Sequence, residues 1–226
     1  MNRRDFLVNS ALLGAGVGVL GAPSVLDALT TTILSKEDFR ALAARALEAA
    51  TSAGAEYADV RISRNNSQFV ATRERRVTGL ADNETFGFGV RVLAGGSWGF
   101  AASWNLSPDE IVRVARQAVA QARANARARI RPVELAPTEV HRDATWRSPI
   151  EIDPFDVPIE DKVALLLEAN EVAMGIKGVR FVNSMMMFLR EEKFFASTIG
   201  TVTEQTIYRA LGISGAEWLA IPRAII

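Results

Sequence analysis

The chain has a single histidine, His141, and no cysteine, which limits the catalytic chemistry available to it. A zincin-type helix needs two histidines four residues apart with a glutamate between them. A Ser-His-Asp arrangement would have to use His141, which stands in the polar segment 139–143, and the chain has no nucleophile-elbow motif. We therefore interpret His141 as a solvated loop residue. The sequence predicts no catalytic residue, no cofactor-binding residue and no metal ligand in this chain.

Phosphate-binding motifs are also missing. No Walker A loop occurs, and Gly87-Phe88-Gly89 lies inside a strand pattern that no helix follows directly. Arginines are frequent in and after one predicted helix, at Arg113, Arg116, Arg123, Arg127, Arg129 and Arg131. They do not form one stripe, and the 26 basic residues of the chain are balanced by 26 acidic ones. A solvated helix face is favoured and no nucleic-acid partner is expected; binding of DNA or RNA by the arginines stays the alternative.

The N-terminus carries an export pattern of the twin-arginine type. Arg3 and Arg4 are followed by Phe6 and Leu7, and an apolar stretch rich in glycine and alanine continues to about residue 22. A membrane-spanning helix needs roughly 20 strongly apolar residues, which this stretch does not supply. We expect 1–34 to be a signal peptide with a short spacer. The protein is then exported by the twin-arginine route to a periplasmic or extracytoplasmic location, tethered to the membrane if the signal is uncleaved; an amphiphilic N-terminal helix is the alternative.

The rest of the chain, roughly 200 residues, is enough for one sizeable domain or two small ones. The sequence is 49% hydrophobic, which supports a packed core. Helices are predicted from Ser35 to about Gly54, over 107–126 and over 159–174, from apolar residues at helical spacing and from capping residues. A connector punctuated by prolines, 132–158, precedes the third helix.

Strand patterns occupy the segments between the helices. Alternation predicts a strand over 58–63 and a hairpin over 86–102 with its turn at Gly95-Gly96. The polar segment 68–77 is interpreted as an exposed strand or a hairpin arm. Later strands are expected over 179–189, 193–197 and 202–208, with a turn at Glu191-Glu192. This order predicts an α+β fold with a largely antiparallel sheet and packed amphipathic helices.

Three glycines stand out in the hairpin. Gly87, Gly89 and Gly99 are expected on the face opposite to the apolar residues of their strands. Such glycines indicate close approach of another backbone or of a ligand, or they allow strand curvature, which we favour over a binding groove. The segment 184–188, which contains three methionines, is interpreted as core rather than as a soft contact surface.

Several segments together resemble the N-terminal part of the TldD/PmbA family, metallopeptidases once described as modulators of DNA gyrase. The resemblance rests on the order of a first helix ending near Gly54, a strand containing Tyr57-Ala58-Asp59, a Gly-x-Gly-Val-Arg-Val hairpin and a following helix. A turn at 196–201 stands where the family has an Asn-Ser-Glu-Gly-like turn. The resemblance covers about 36–209, which is about the first half of a family member.

The resemblance implies a zinc site in the second half of the intact protein, built from a His-Glu-x-x-x-His helix and a later cysteine, none of which is present here. It implies that this chain is the scaffold and substrate-cleft domain of an exported zinc metallopeptidase, inactive alone. A peptide or unfolded protein is the expected substrate, and a homo- or hetero-dimer with a TldD/PmbA-type subunit is expected. The alternative is a non-catalytic peptide-binding or partner subunit.

Domain boundaries follow from the same comparison. We expect 35–209 to form the family's N-terminal α+β domain and 210–226 to be an atypical tail. The tail is apolar and lacks capping residues, so a truncated or frameshifted reading frame is favoured over a half-length relative.

Overall fold

A six-stranded sheet, in the order β3-β2-β1-β5-β6-β4, carries the fold. The computed structural model describes residues 36–218; the predicted export residues Arg3, Arg4, Phe6 and Leu7 and the end of the predicted tail lie outside that range. In chain order the elements are α1 (Lys36–Ser52), β1 (Tyr57–Arg73), β2 (Arg76–Ala94), β3 (Ser97–Ser103), α2 (Pro108–Ala126), β4 (Ala144–Arg147), α3 (Ile159–Met174), β5 (Val179–Ser197) and β6 (Val202–Trp218). From Phe39 onward the described residues belong to one compact unit.

The predicted α+β class is confirmed. Every strand pair in the sheet is antiparallel except β4 with β6, which is parallel. The hairpin of β2 and β3 is present as predicted, and both of its turn glycines, Gly95 and Gly96, have positive φ. Ser107 accepts a hydrogen bond from the backbone N–H of Glu110 and begins α2 as predicted.

The strands are longer than the sequence pattern indicated. The two predicted segments 58–63 and 68–77 are one strand, β1, followed by a tight turn at Glu74 and Arg75 that has neither glycine nor proline. The polar stretch between them continues the strand because its side chains bond across to β2. The amide of Asn66 donates to Glu84 at 2.8 Å, and the amide of Asn65 donates to Thr85.

The turn predicted at Glu191-Glu192 is wrong, because β5 passes through it as one strand. Both acids have basic neighbours on the sheet, which makes an extended backbone favourable for them. Glu191 contacts Lys193 at 2.7 Å and Arg209 at 3.2 Å, and Glu192 lies 3.9 Å from Arg64. The last strand is also longer than expected: β6 continues past Arg209 to Trp218, paired with β5 along its length.

All three helices pack on one face of the sheet. The ring of Phe39 in α1 lies near the rings of Phe86 and Phe194, which share that face. Helix α2 packs on β2 and β3, and α3 packs on β1 and β5. The core is formed between them by fully buried side chains such as Val60, Val90, Val114 and Val182. No helix of residues 36–218 covers the opposite face, which we call the helix-free face.

Candidate functional site

A buried carboxylate lies on the helix-free face, near the start of β1. Asp59 is 1% exposed, and both Nε and Nη2 of Arg91 donate to its Oδ2, at 2.8 and 2.6 Å. Nη2 of Arg61 lies 3.7 Å from Oδ1 of the same carboxylate. The two arginines approach Asp59 from different strands. Arg91 lies directly opposite Asp59 on β2, and Arg61 lies two residues farther along β1. The cluster therefore presents one net positive charge on this face.

Aromatic rings hold the two arginines. The guanidinium of Arg91 lies 4.7 Å from the ring centre of Trp98, and that of Arg61 lies 5.5 Å from the ring centre of Phe195. Trp98 in turn makes an edge contact with Tyr57. Burial and the neighbouring Asp59 carboxylate raise the pKa of Tyr57, so its hydroxyl stays protonated and available for hydrogen bonding.

Burial alone would lower the pKa of Arg91, but the hydrogen bond and the charge of Asp59 outweigh it and the pKa is raised. The positive charge of Arg91 is therefore permanent. Because cation–π contacts and ion pairs fix both guanidinium groups, the cluster is pre-organised for hydrogen-bond acceptors such as carbonyl or carboxylate oxygens.

An open groove of about 560 Å³ adjoins this cluster. Its floor contains Gly87 and Gly89, and the exposed rings of Phe100 and Trp104 line it. A Cβ added to Gly89 would stand 2.7 Å from the Phe100 ring, so the missing side chain is what lets this ring lie across the strand. The groove thus combines apolar walls with the two arginines.

The prediction for the three hairpin glycines is wrong in one respect. Gly99 does not share a face with Gly87 and Gly89, because the two-residue turn pairs Ala94 with Ser97 and so reverses the alternation. Gly99 lies under α2, where an added Cβ would meet the carbonyl oxygen of Ala118 at 2.1 Å. Close approach of another backbone therefore explains Gly99, whereas the other two glycines form the floor of the groove.

A second cavity, of about 410 Å³, lies at the end of the sheet beside Tyr57 and Phe195. Connector residues 135–139, His141 and Ile199 also line it. The hydroxyl of Ser197 is buried there and has no hydrogen-bond partner in the described part of the chain. The side chain of His141 is exposed, and its backbone carbonyl accepts a hydrogen bond from the N–H of Val202.

The methionine segment divides between the two faces. Met186 follows the helix side of β5, whereas Met185 and Met187 lie on the helix-free face. They continue there into an apolar area with Phe69, Leu211 and Ile213. Met187, Leu211 and Ile213 are exposed, so the predicted core packing holds for only part of this segment.

Three of the six arginines singled out in the sequence bond within the fold. Arg113 donates to Glu110 and Gln117, Arg123 donates to the carbonyl oxygen of Ala53, and Arg129 to that of Gly95. At the turn between β1 and β2, Arg75 makes two hydrogen bonds to Glu171, at 2.6 and 2.7 Å, and so ties the turn to α3.

Zinc does not fit the side chains seen here. A catalytic zinc ion needs three protein ligands, and within 36–218 no group of three or more histidine, aspartate or glutamate side chains could hold a metal ion. The most buried carboxylate, Asp59, is already bound by Arg91. In the same range no helix is both long and apolar enough to cross a membrane.

Comparison with known proteins finds one matching family model and several similar structures. The family model described as PmbA/TldA metallopeptidase domain 1 matches residues 58–122, which include Asp59, Arg61, Arg91 and every residue that lines the groove. A proposed modulator of DNA gyrase from Bacteroides thetaiotaomicron has a similar structure, with 16% identity and a TM-score of 0.58; the match covers 81% of this chain and 41% of that one.

A second proposed modulator of DNA gyrase, from Thermotoga maritima, gives 15% identity and a TM-score of 0.57, over 83% of this chain and 45% of that one. At these identities the likeness shows the fold. The chain spans less than half the length of either structure. No curated protein matches its sequence significantly.

Proposed function

Because residues 58–122 match the family model of PmbA/TldA metallopeptidase domain 1, we propose that this chain is the N-terminal scaffold and substrate-cleft domain of an exported TldD-type zinc metallopeptidase. The observation that supports a cleft is the groove over Gly87 and Gly89 beside the Asp59 cluster. Export by the twin-arginine route is part of the proposal and rests on Arg3 and Arg4.

The groove suits a peptide chain. The rings of Phe100 and Trp104 offer apolar contact to side chains, and the guanidinium groups of Arg61 and Arg91 offer donors to carbonyl or carboxylate oxygens. An extended polypeptide carries both apolar side chains and backbone carbonyl oxygens, so it can use both kinds of contact. The expected ligand is therefore a peptide or an unfolded protein segment.

Addition of a peptide as an extra strand is less favourable at β3, the edge nearest to the groove. The side-chain oxygen of Gln121 accepts from the backbone N–H of Phe100, and the amide of Asn125 donates to the carbonyl oxygen of Trp98. These two residues of α2 occupy the edge groups that an added strand would need. The peptide is therefore expected on the face of the sheet and not along this edge.

The ligands of the metal ion in such an enzyme would be residues outside 36–218. This chain would bind and position the substrate, and the purified 226-residue protein is expected to hydrolyse no peptide, with or without added zinc. Zinc-dependent cleavage by this protein would contradict the assignment as a scaffold.

Peptide binding is the direct test. A short apolar peptide labelled with fluorescein is titrated with the purified chain, and binding is followed by fluorescence anisotropy. Phe100→Ala should weaken binding roughly tenfold, because a large aromatic contact is lost. Leu165→Ala is the matched control: Leu165 is 55% exposed and Phe100 57%, but Leu165 lies on α3, on the other face. Equal binding by the two variants, or none by the unchanged chain, would refute the cleft.

A non-catalytic partner subunit is the second candidate. It is favoured by the apolar area around Met187 and Leu211, whose side chains are exposed side by side on the helix-free face. A TldD/PmbA-type subunit that carries the metal would then be the partner. Stable co-elution with such a subunit, together with absence of peptide binding by the chain alone, would select this candidate.

A further inference from the structure

The outer edge of β6 has no strand beside it over most of its length. On its inner side β6 pairs with β5 from Val202 to Trp218, whereas β4 covers its outer side only over Thr203–Thr206. Ser148 extends this cover by bonding to Thr206 and Tyr208. From Arg209 to Glu217 the described residues place no strand against the outer side.

The hydrogen bonds near its start show which backbone groups point outward. The N–H of Val202, the carbonyl oxygen of Thr206 and the N–H of Tyr208 all bond to the connector, away from β5. Alternate residues of a strand direct both backbone groups to the same side. The outward N–H and C=O groups farther along therefore belong to Ala210, Gly212, Ser214 and Ala216.

This segment lacks the features that usually protect an edge strand. Between Arg209 and Glu217 the sequence has no proline and no lysine, and the irregularity in the pairing lies on β5, between Val179 and Phe181. Cβ atoms added to Gly212 or Gly215 would meet nothing within 4 Å, so the faces of the strand are also open at these two positions.

We propose that β6 of a second copy of this chain pairs antiparallel with this edge, about a two-fold axis through Ile213. This register places Arg209 of one copy opposite Glu217 of the other, Leu211 opposite Gly215, and Ile213 opposite its own counterpart. The outward residues Ala210, Gly212, Ser214 and Ala216 then form the hydrogen-bonded pairs.

Charge selects this register. Arg209 and Glu217 lie at non-hydrogen-bonded positions, where opposite side chains approach most closely, and the axis brings them together at both ends of the interface. A shift by two residues would separate both ion pairs and leave Ile213 without its counterpart. The surface is thus complementary to itself, as a two-fold interface requires. The inference rests on the geometry of β6 and stands whether or not the proposed peptidase function is correct.

The mass of the full chain in solution tests the pairing. Sedimentation equilibrium over a dilution series should show a dimer that dissociates on dilution. Ile213→Lys should give a monomer at concentrations where the unchanged chain is dimeric, because it places two like charges opposite each other. Met187→Lys is the matched control: Met187 is 45% exposed and Ile213 49%, on the same face, but Met187 is on β5 and away from the edge. A monomeric unchanged chain, or the same mass for both variants, would overturn the proposal.

A charge exchange tests the register itself. Glu217→Arg should weaken dimerisation about tenfold, through the two symmetry-related pairs. Adding Arg209→Glu to that variant should restore most of the affinity, although Arg209 also loses its contact with Glu191. A double variant that dimerises no better than Glu217→Arg alone would exclude this register.

Discussion

Arg91 binds the buried carboxylate of Asp59 through two nitrogens that meet on one oxygen, Oδ2. The two residues lie directly opposite each other on β1 and β2, so the strand register creates the contact. A buried charge of this kind is stable only with its partner. The pair is therefore both a structural link between two strands and the source of the fixed positive charge beside the groove.

Removing the carboxylate charge of Asp59 should lower the stability of the fold. Asp59→Asn is expected to lower the free energy of unfolding by about 2 kcal/mol. This loss is smaller than the loss expected on breaking a fully buried ion pair, because Arg91 is partly exposed. Arg61→Gln, which changes the more distant and exposed partner, should cost less than about 0.5 kcal/mol. Urea unfolding of both variants measures the difference, and equal losses would show that the pair with Arg91 is not special.

Gly99 should tolerate no side chain. A Cβ there would stand 2.1 Å from the carbonyl oxygen of Ala118 and 2.5 Å from the backbone nitrogen of Ala122, so α2 would have to move away from the sheet. Gly99→Ala should therefore lower the free energy of unfolding by about 3 kcal/mol. Gly212→Ala, where nothing lies within 4 Å, should change it by less than about 0.5 kcal/mol. Thermal unfolding that is unchanged in Gly99→Ala would contradict this packing.

Stability should fall in acid through Asp153. Burial would raise the pKa of this carboxyl, but hydrogen bonds from the Tyr208 hydroxyl and the Phe155 N–H, together with Arg190, outweigh it and the pKa lies below its ordinary value. The ionised form thus stabilises the folded state above the unfolded-state pKa of about 3.9. That contribution is lost as the pH falls from there through the folded-state pKa.

The variant Tyr208→Phe tests this linkage. Without its 2.6 Å hydrogen bond to Asp153, stability at neutral pH should fall by about 1.5 kcal/mol, and the loss below pH ~4 should become smaller. Urea unfolding between neutral and acid pH measures both effects. In an Asp153→Asn background, Tyr208→Phe should leave the acid slope unchanged, and a further change there would assign the pH dependence to another group.

Asn170 should be the most sensitive polar residue of α3. It is fully buried; its amide nitrogen donates to the hydroxyl of Thr72 and the carbonyl oxygen of Glu74, and its oxygen accepts from Ser184. Asn170→Ala leaves these groups buried without partners and should cost about 3 kcal/mol. Val172→Ala, at an exposed position of the same helix, should cost less than about 0.5 kcal/mol in the same urea assay.

The sequence predicts elements well where local signals are strong. The hairpin of β2 and β3 follows from alternation and from two adjacent glycines able to adopt positive φ. The sequence pattern predicts two segments in place of each of the long strands β1 and β5, because their central residues are polar on both faces and the period of two is lost there. The turn after β1 has no signal in the sequence, because Glu74 adopts positive φ where a glycine would be expected.

The candidate site was less predictable than the fold. Asp59 and Arg91 were visible only as strand residues, because their contact depends on a register that a single sequence does not state. The placement of Gly99, in contrast, follows from the length of the turn. A two-residue turn makes odd-numbered residues of β2 share a face with even-numbered residues of β3, so Gly99 had to lie opposite to Gly87 and Gly89.

The central position of β1 in the sheet also sets an order of folding. Its hairpin with β2 is local in the chain, but its other edge is completed by β5, and Ala58 bonds to Thr198 across 140 residues. During synthesis the segment from β1 to α2 can therefore form first, with one edge of β1 unpaired until β5 has left the ribosome. That interval is when the growing chain is most exposed to wrong pairing and aggregation, and when a chaperone would protect it most.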